Sequence, residues 1–240
     1  MKRAIIIGAT SGIGREVAKK LLEEGWQIGA AGRREQELIT LQAASPGRVS
    51  IQMLDITRED APERLQRLIT LTGGMDLFFL SSGIGRTNPE LLPDTELSTV
   101  ETNALGFTRM VTAAFHYFRE HRGGHLAVIS SVAGTKGLGP APSYSATKRF
   151  QATYLEALAQ LAHSRYPHIH LTDIRPGFVA TAILDGTKHY PMLMKPERVA
   201  ALIVRALNRR RRVAVIDRRY AWLVFVWRLI PPWLWVRIKL

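Results

Sequence analysis

The amino-acid sequence predicts an α/β fold in which a doubly wound parallel β-sheet of about seven strands is flanked by helices. Short apolar runs alternate with longer segments of helical period along most of the chain. Runs that are apolar on both faces indicate strands buried on both sides, as in parallel sheets covered by helices. Because no linker interrupts this alternation, we expect residues 1–240 to form one domain, with a core at about 4–216 and an apolar extension at 217–240.

Seven apolar runs have the length of buried strands. They lie at residues 4–7, 26–31, 49–53, 77–80, 125–130, 169–174 and 213–216. Between these runs, apolar residues recur at spacings of three and four, which predicts helices. The predicted helices cover residues 14–24, 35–43, 62–71, 99–120, 144–164 and 196–208. Strands joined through helices run parallel, so their carboxyl ends meet at one edge of the sheet, where such folds bind ligands.

The composition is that of a globular protein, with 46% hydrophobic residues and no repeat or low-complexity tract. The absence of cysteine excludes disulfides and thiolate metal sites, and the seven histidines show no spacing with acidic residues that suggests a metal site. We therefore expect no metal. The first apolar run lacks the length and cleavage site of a signal peptide, which predicts a cytoplasmic location.

The formal net charge is +13, from 33 basic and 20 acidic residues. Such an excess favours anionic partners such as phosphorylated cofactors, nucleic acids or acidic lipids. Many of the basic residues crowd into the last thirty positions, beside an unusually aromatic segment. The excess is therefore partly a local property of the C-terminal extension, and we expect no nucleic-acid partner.

The segment GATSGIG at residues 8–14 follows the first apolar run and begins the first helical segment. Gly8 permits a tight turn, Gly12 lets the backbone approach a ligand, and Gly14 permits close packing of helix on strand. The free N–H groups at the helix start, around Ile13, would face a pyrophosphate. Glycines needed for packing alone would explain the same segment without a ligand.

A second group of polar residues follows the fifth predicted strand. Tyr144 and Lys148 are four residues apart at the start of a helical segment, so they share one helix face. Ser131 lies thirteen residues before Tyr144, at the end of the strand, where ligands bind in parallel sheets. Together with the glycine turn, this spacing indicates a nucleotide-dependent catalytic site.

The spacing GxxxGxG, followed by Ser131, Tyr144 and Lys148, resembles the short-chain dehydrogenase/reductase family, whose glycine motif reads TGxxxGxG. Asn103 matches the fourth member of the family's catalytic tetrad. The resemblance runs from about residue 4 to residue 216. It implies a Rossmann-type fold, an NAD(P)-dependent oxidoreductase acting on CH–OH groups, and a homodimer or homotetramer.

The chemistry of such an enzyme explains these residue types. Hydride transfer to a carbonyl builds negative charge on oxygen, which must receive a proton, and we expect Tyr144 to donate it. Lys148 would lower the tyrosine pKa and, by resemblance, bind the nicotinamide ribose, while Ser131 would hold the substrate oxygen. Asn103 would hold a water that links Lys148 to solvent. A tyrosine hydrogen-bonded in the core, with Lys148 at the surface, is the non-catalytic alternative.

Arg33 and Arg34 follow the second predicted strand, where an acidic residue would select NAD and an arginine accommodates a 2′-phosphate. We therefore expect NADP(H) rather than NAD. Arg33 is placed to pair with the phosphate, and Ser11 and Arg15 would add to that contact. A solvated helix start would explain both arginines without a ligand.

The resemblance implies further cofactor contacts. Asp55, next to Ile56, falls at the family position that contacts the adenine ring, although a helix cap would also explain an aspartate there. Gly83 would keep the backbone close to the ribose. The segment RPGFVAT at 175–181 resembles the family's PG motif and implies transfer of the 4-pro-S hydride. Its residues at the nicotinamide carboxamide would be Pro176, Gly177, Val179 and Thr181.

Two family positions are altered together. Ile7 replaces the threonine that begins the glycine motif, and Leu80 replaces the first asparagine of the family's NNAG motif. In the family these two polar side chains are hydrogen-bonded across neighbouring strands. Losing one of the two would leave the other as a buried polar group without a hydrogen-bond partner, whereas replacing both can leave the stability of the fold nearly unchanged. We interpret the pair as a compensated change.

Residues 183–195 occupy the family's substrate-loop position, and we expect an apolar, adaptable wall there. The residues concerned are Leu184, Tyr190, Met192, Leu193 and Met194. Core packing explains them too, and Lys136, Lys188 and His189 favour an acidic group instead. A redox-based epimerase or dehydratase, or a non-catalytic NADP-binding membrane-associated protein, stays open as an alternative function.

The extension carries the apolar run 221–236, interrupted by Arg228 and two prolines. It is shorter than the roughly 20 residues that span a bilayer. Because the run is apolar all round, one face should stay uncovered after the other docks on the domain. Its tryptophans, with Arg237 and Lys239, predict peripheral contact with an anionic membrane through residues 221–240. A second subunit is the alternative cover.

Overall fold

The computed structural model describes residues 1–184 and 189–238. Its sheet contains seven parallel strands in the order β3-β2-β1-β4-β5-β6-β7. The strands are β1 (Arg3–Ile7), β2 (Gln27–Gly32), β3 (Val49–Met53), β4 (Leu77–Leu80), β5 (Gly124–Ile129), β6 (Ile169–Pro176) and β7 (Val213–Ile216). The predicted doubly wound fold is confirmed, and the order reverses between β1 and β4, which is where such sheets bind ligands.

Helices cover both faces of the sheet. They are α1 (Gly12–Glu23), α2 (Glu35–Ala43), α3 (Ala61–Thr72), α4 (Pro93–Val100), α5 (Phe107–Glu120), α6 (Pro142–Arg165), α7 (Pro196–Asn208), α8 (Arg218–Leu229) and α9 (Pro232–Trp235). A π-helical segment, Glu101–Gly106, joins α4 to α5, and a 3₁₀ turn, Val132–Thr135, follows β5. Within the described residues, no helix has both the length and the apolar character needed to cross a membrane.

Alternate residues of the central strands pack into two apolar cores, one on each face of the sheet. Ala4 and Ile6 of β1 pack on one face with α1, α2, α7 and α8, whereas Ile5 and Ile7 pack on the other with α3, α5 and α6. All four side chains are fully buried. Two-sided burial explains why β1 is a continuous apolar run instead of an alternating one.

The compensated change predicted for Ile7 and Leu80 has its expected geometry. The two residues are register partners on β1 and β4, and both are buried in the same core. Apolar side chains therefore meet at this point of the sheet, and neither leaves a polar group without a partner.

The predicted helix at 99–120 is helical throughout, but it is not one regular α-helix. The structure places the end of α4, the π-helical segment and α5 there. Inside the π-helical segment, the Asn103 amide binds the backbone of Ile84, accepting from its N–H at 2.9 Å and donating to its carbonyl at 2.6 Å. A widened turn of this kind is frequent at functional sites, and this one holds Asn103 against the loop after β4.

Candidate functional site

The glycine turn links β1 to α1 at the carboxyl edge of the sheet. Gly8 (φ +94°) and Gly12 (φ +53°) have left-handed backbones that glycine adopts without strain. A β-carbon on Gly14 would lie 2.2 Å from the Gly8 carbonyl oxygen, so this contact also requires glycine. A β-carbon on Gly12 would lie 3.0 Å from Cγ2 of Thr181. The start of α1, before Ile13, is therefore in close contact with the Thr181 side chain of the segment after β6, and a side chain at position 12 would disturb that contact.

The predicted phosphate-binding residues separate into two groups. Arg33 is exposed and lines a surface hollow with Asp55 and Arg58, and it has no side-chain partner among the described residues. Arg34 donates to the Thr10 hydroxyl at 3.0 Å. The guanidinium group of Arg33, at the end of β2, is therefore free to bind an anion in this hollow. Arg58, which sequence reasoning missed, adds a second guanidinium to the same wall.

The other two residues predicted to contact the phosphate, Arg15 and Ser11, differ in whether they are already paired. Arg15 pairs with Glu37 of α2 at 2.6 Å, in a half-exposed ion pair. Ser11 precedes α1 as an exposed N-cap residue whose side chain makes no capping hydrogen bond. The structure thus leaves Ser11 available and holds Arg15 beside the turn through α2.

Asp55 stabilises the turn after β3. One of its carboxylate oxygens accepts from the Thr57 N–H at 3.0 Å and from the Thr57 hydroxyl at 2.9 Å. Ile56 is buried, and its carbonyl group packs against Gly106. A β-carbon on Gly83 would lie 3.2 Å from Asn103 Oδ1 and 3.5 Å from Lys148 Nζ, so the loop after β4 passes directly over the polar centre.

Ser131 and Tyr144 are brought together as predicted. Ser131 follows β5 and caps the 3₁₀ turn by accepting from the Ala133 N–H at 3.1 Å, while its hydroxyl lies 3.4 Å from the Pro176 carbonyl. The Ser131 side chain lies near enough to the Tyr144 hydroxyl to lower the pKa of that group. Gly85 packs on the Tyr144 ring, because a β-carbon there would come within 2.6 Å of two ring carbons. The tyrosine is therefore held in one orientation.

The predicted lowering of the Tyr144 pKa is wrong for this structure. Burial raises the pKa of Tyr144 above its usual value of 10.0, and the nearby Ser131 side chain opposes that rise without overcoming it. Lys148 Nζ lies 5.8 Å from the centre of the Tyr144 ring, and its hydrogen bonds go to other groups. The phenol consequently keeps its proton at neutral pH.

Lys148 is buried, with 4% of its surface exposed, so the alternative that placed it at the surface is wrong. Its ammonium group donates to the Ile129 carbonyl and to Gln151 Oε1, both at 3.0 Å. Burial lowers the pKa of Lys148 from 10.5 to about 8, and the negative charge of Asp173 limits that fall. The amine therefore titrates close to physiological pH.

Asn103 and Lys148 are linked by a residue that sequence reasoning missed. Gln151, 1% exposed, donates to the Asn103 main-chain carbonyl at 2.8 Å and accepts from Lys148 through the other end of its amide. The sequence-based expectation is different: it has Asn103 hold a water that links Lys148 to solvent. Gln151 lies three residues after Lys148 on the same helix, so its pairing with Lys148 is readable from the sequence, but its contact with Asn103 is not.

Asp173 forms a second buried polar group behind the site. Its carboxylate accepts from the Ser130 hydroxyl and pairs with Arg175 at 2.6 Å. Asp173 is 3% exposed, so its charge acts through a poorly screened interior. Sequence reasoning missed this carboxylate, since nothing near it in the chain distinguishes it from other strand residues.

The segment after β6 completes the edge of the site. Val179 is buried and pairs with Met194, and the Thr181 hydroxyl donates to the Val179 carbonyl at 3.3 Å. Gly177 packs against the ring of Tyr220, where a β-carbon would come within 2.0 Å of a ring carbon. Lys188 of the predicted substrate loop lies outside the described residues.

The arrangement therefore combines an open glycine turn with a Ser131–Tyr144 hydroxyl pair and a buried lysine at one sheet edge. The family model described as "short chain dehydrogenase" matches residues 2–190. The chain belongs to the short-chain dehydrogenase family. This short-chain dehydrogenase is an oxidoreductase that uses a nicotinamide cofactor, and its glycine turn, with left-handed Gly8 and Gly12 before the start of α1, is the kind of backbone that binds a pyrophosphate through N–H groups.

Relatives and solved structures agree with this assignment. The short-chain dehydrogenase is 34% identical over 239 residues to an uncharacterized oxidoreductase of Myxococcus xanthus, covering 96% of this chain and 90% of that protein. It is 30% identical to the 3-ketodihydrosphingosine reductase of Bacteroides thetaiotaomicron, with coverage of 85% and 74%. A short-chain dehydrogenase/reductase of Burkholderia phymatum in complex with NAD has the same fold, with a TM-score of 0.82, 20% identity and coverage of 93% and 92%.

Proposed function

We propose that this short-chain dehydrogenase reduces a carbonyl, or in reverse oxidises a secondary alcohol, with NADP(H) as cofactor and Tyr144 as general acid/base. One observation carries the proposal: Tyr144 lies close to Ser131 and to the buried Lys148, whose Nζ is 5.8 Å from the centre of the Tyr144 ring. The raised pKa of Tyr144 keeps a proton available for a developing alkoxide. The name of the Bacteroides relative, a reductase of a 3-keto compound, supports the same direction.

Each residue has a defined part in the reduction. When bound, the reduced nicotinamide supplies a hydride, with its electron pair, for the carbonyl carbon. Ser131 donates a hydrogen bond to the carbonyl oxygen, and Tyr144 transfers its proton to that oxygen as the C=O π bond breaks. The resulting phenolate lies near the Lys148 ammonium, which is mostly protonated at pH 7 because its pKa is about 8. The products are an alcohol and the oxidised cofactor.

The choice of NADP(H) rests on the end of β2. Gly32 is followed by Arg33, and no acidic residue is present there to accept a ribose 2′-hydroxyl. Arg33 has no side-chain partner among the described residues, and Arg58 lines the same hollow. Two guanidinium groups favour a 2′-phosphate at this place.

The proposal extends to the surroundings of the protein. Leu97, Leu105 and Phe150 are exposed on α4, the π-helical segment and α6, a surface that suits contact between copies in a homodimer or homotetramer.

The extension exposes a separate aromatic and basic surface, and we place it against an anionic membrane on the cytoplasmic side. Lys239, also predicted to take part, lies outside the described residues.

Replacing Tyr144 by phenylalanine tests the catalytic assignment. The variant loses only the hydroxyl, so NADPH binding stays close to that of the parent while turnover of soluble aldehydes and ketones falls by about 10² to 10⁴. NADPH fluorescence measures binding, and NADPH absorbance measures turnover. Tyr166→Phe, on a tyrosine outside the site, is the matched control. Turnover of Tyr144→Phe within tenfold of the parent would show that Tyr144 is not the proton donor.

A further inference from the structure

The extension is fastened to a segment that directly follows Ser131. Lys136 Nζ donates to the Ile230 carbonyl at 2.7 Å, between α8 and α9. The Trp235 indole N–H donates to the Gly137 carbonyl, also at 2.7 Å. The chain that leaves the catalytic serine therefore runs beneath the helix pair α8–α9.

Tyr220 of α8 makes a second attachment, to the segment after β6. Its ring is 1% exposed and packs on Gly177. Its hydroxyl accepts from the Phe178 N–H and donates to the Pro191 carbonyl, each at 3.0 Å. Since the Ser131 hydroxyl itself lies against Pro176, both attachments lie next to the catalytic side chains. The helix pair therefore forms a wall beside the two segments that follow Ser131 and Pro176.

The outer face of this wall is apolar and uncovered, as predicted. The inner side chain of Val224 is buried, while eight large apolar side chains between residues 222 and 238 are exposed. They are Trp222 (70%), Phe225 (55%), Val226 (50%), Leu229 (67%), Trp233 (61%), Leu234 (40%), Val236 (79%) and Ile238 (39%). We call these eight residues the apolar wall. A group of this size marks an interaction site.

The basic residues of the extension favour an anionic membrane over a second copy of the chain as the partner of the apolar wall. Residues 218–238 contain arginines at 218, 219, 228 and 237 and no acidic residue. A second copy docking by two-fold symmetry would bring the same arginines towards one another, which disfavours that contact. Phosphates of an anionic bilayer pair with arginines, and tryptophans such as Trp233, which has Arg237 over its ring at 5.5 Å, are typical of the headgroup boundary.

Apolar surface continues from the wall towards the cleft. Phe178 (37%), Ile183 (45%) and Leu193 (49%) are exposed on the segment that Tyr220 fastens to α8. The Phe178 ring contacts Tyr190 at 4.9 Å between centres. These side chains belong to the segment that borders both α8 and Ser131, so an alkyl chain that reaches the site from the apolar wall would meet apolar side chains there.

From these observations we infer that the substrate is a long-chain lipid ketone taken directly from an anionic membrane surface, with the apolar wall as the docking face. The inference rests on the proposed function, because it assigns a substrate class to the same Tyr144 site. The chemistry is unchanged: the carbonyl carbon receives the hydride, and its oxygen receives the Tyr144 proton. What is added is the source and the shape of the substrate, a carbonyl carried on an alkyl chain.

The experiment uses octadecan-2-one dissolved in vesicles and butan-2-one in solution, both with NADPH. Vesicles consist of phosphatidylcholine, either alone or mixed equally with phosphatidylglycerol. Three proteins are compared: the parent, the triple variant Trp222→Ser/Phe225→Ser/Leu229→Ser, and the control Ile39→Ser/Leu71→Ser, which alters exposed apolar residues on α2 and α3. Flotation measures vesicle binding separately from turnover.

We expect the parent and the control to bind the anionic vesicles and to reduce octadecan-2-one there about tenfold faster than in neutral vesicles. The triple variant should lose about tenfold or more in both readouts and keep its NADPH affinity and its rate with soluble carbonyls. Arg228→Glu/Arg237→Glu, which keeps all eight side chains of the apolar wall, should give the same losses and serves if the triple variant does not fold.

Two results separate the inference from the proposed function. Equal reduction of octadecan-2-one by the parent and both wall variants, or a preference for butan-2-one, overturns the lipid inference and leaves carbonyl reduction standing. Vesicle binding without NADPH-dependent reduction of any carbonyl, in vesicles or in solution, overturns the proposed function and the substrate class with it.

Discussion

Tyr144 and Lys148 have pKa shifts in opposite directions although both side chains are affected by the same burial. Burial disfavours the charged form of each group, so the tyrosine pKa rises above 10.0 and the lysine pKa falls to about 8. At pH 7 the pair is therefore a neutral phenol beside an ammonium group. This is the protonation state that carbonyl reduction requires, and it arises from the fold before any ligand is considered.

Gln151 is predicted to act through Lys148 as a positioning residue. Its amide oxygen accepts from the ammonium group, so Gln151→Leu should lower the Lys148 pKa, and Gln151→Glu should raise it by placing a negative charge there. The rate of carbonyl reduction should fall as pH rises through the Lys148 pKa. We expect this alkaline limb to move to lower pH in the leucine variant and to higher pH in the glutamate variant.

A purely structural role for Gln151 would lower the rate in both variants without moving their pH profiles in opposite directions. Gln66→Leu, on an exposed residue of α3, is the control for glutamine replacement. Coincident profiles of parent, leucine and glutamate variants would contradict the prediction.

Arg33 is predicted to select the cofactor. Arg33→Asp replaces a free cation by a carboxylate, which repels a 2′-phosphate and accepts a ribose 2′-hydroxyl. The loss of a charge-assisted pair of about 1.5–3 kcal/mol should weaken NADPH roughly ten- to hundredfold and leave NADH unchanged or improved. Titration of both cofactors measures the ratio. Arg67→Asp makes the same charge change at an exposed position on α3, and a preference altered equally in both variants would argue against a specific phosphate contact.

At the scale of elements, the contact between β1 and β4 shows how a family hydrogen bond is replaced by packing. Ile7→Thr alone should destabilise the fold by about 1–3 kcal/mol, because its hydroxyl meets the apolar side chain of Leu80. Ile7→Thr/Leu80→Asn should recover part of the combined loss, since the amide can pair with the hydroxyl. Urea unfolding of the single and double variants gives the coupling free energy.

The control pairs Ile7→Thr with Leu207→Asn, a buried residue of α7 in the core on the opposite face of the sheet. The changes in the free energy of unfolding caused by these two substitutions should add to within about 0.5 kcal/mol, because the two residues share no contact. Additive effects for Ile7 and Leu80 as well would mean that the two positions are not coupled.

At the scale of the whole molecule, the two edges of the sheet have different electrostatic roles. The carboxyl edge carries the catalytic groups, whereas the amino edge carries His125, whose ring nitrogen lies 2.8 Å from the Thr172 hydroxyl. Burial, and then the charges of His170 and Arg210, lower the pKa of His125 from 6.5 to about 4. This histidine is neutral in the folded protein over a range in which the unfolded chain binds a proton.

The free energy of unfolding should therefore fall as pH decreases from about 6.5 to about 4, by up to roughly 3 kcal/mol from this group. Above pH 6.5 the contribution of His125 is constant, because both states are neutral. Lys148 does not titrate in this window, since both its folded and its unfolded pKa lie higher. Urea unfolding at several pH values measures the slope.

His125→Gln keeps a hydrogen-bonding side chain without a titrating group, and it should reduce that slope, while His170, whose pKa burial also lowers, still contributes. His163→Gln, at an exposed position of α6, should leave the slope unchanged. An identical pH dependence in the parent and in His125→Gln would show that other groups cause the acid sensitivity.

Local sequence determined the elements and the order of the site's main parts. The alternation of apolar runs with helical periods predicts seven parallel strands, and the spacings of Gly8, Gly12 and Gly14 and of Tyr144 and Lys148 predict a nucleotide turn and a shared helix face. These signals are readable because each depends on residues within a few positions of one another, through turn conformation and helical period.

Only the tertiary structure decided the contacts that join distant parts of the chain. Gln151 meets Asn103 across 48 positions, and Trp235 meets Gly137 across 98. Neither spacing corresponds to a turn or a helical repeat, so the partner depends on how helices pack on the sheet. The direction of the Tyr144 pKa shift likewise follows from burial, which is a property of packing and not of neighbours in sequence. The fold was therefore predictable from local periodicity. The pKa shifts of the site and the position of the apolar wall beside the segments after Ser131 and Pro176 depend on long-range packing, so they could not be predicted in this way.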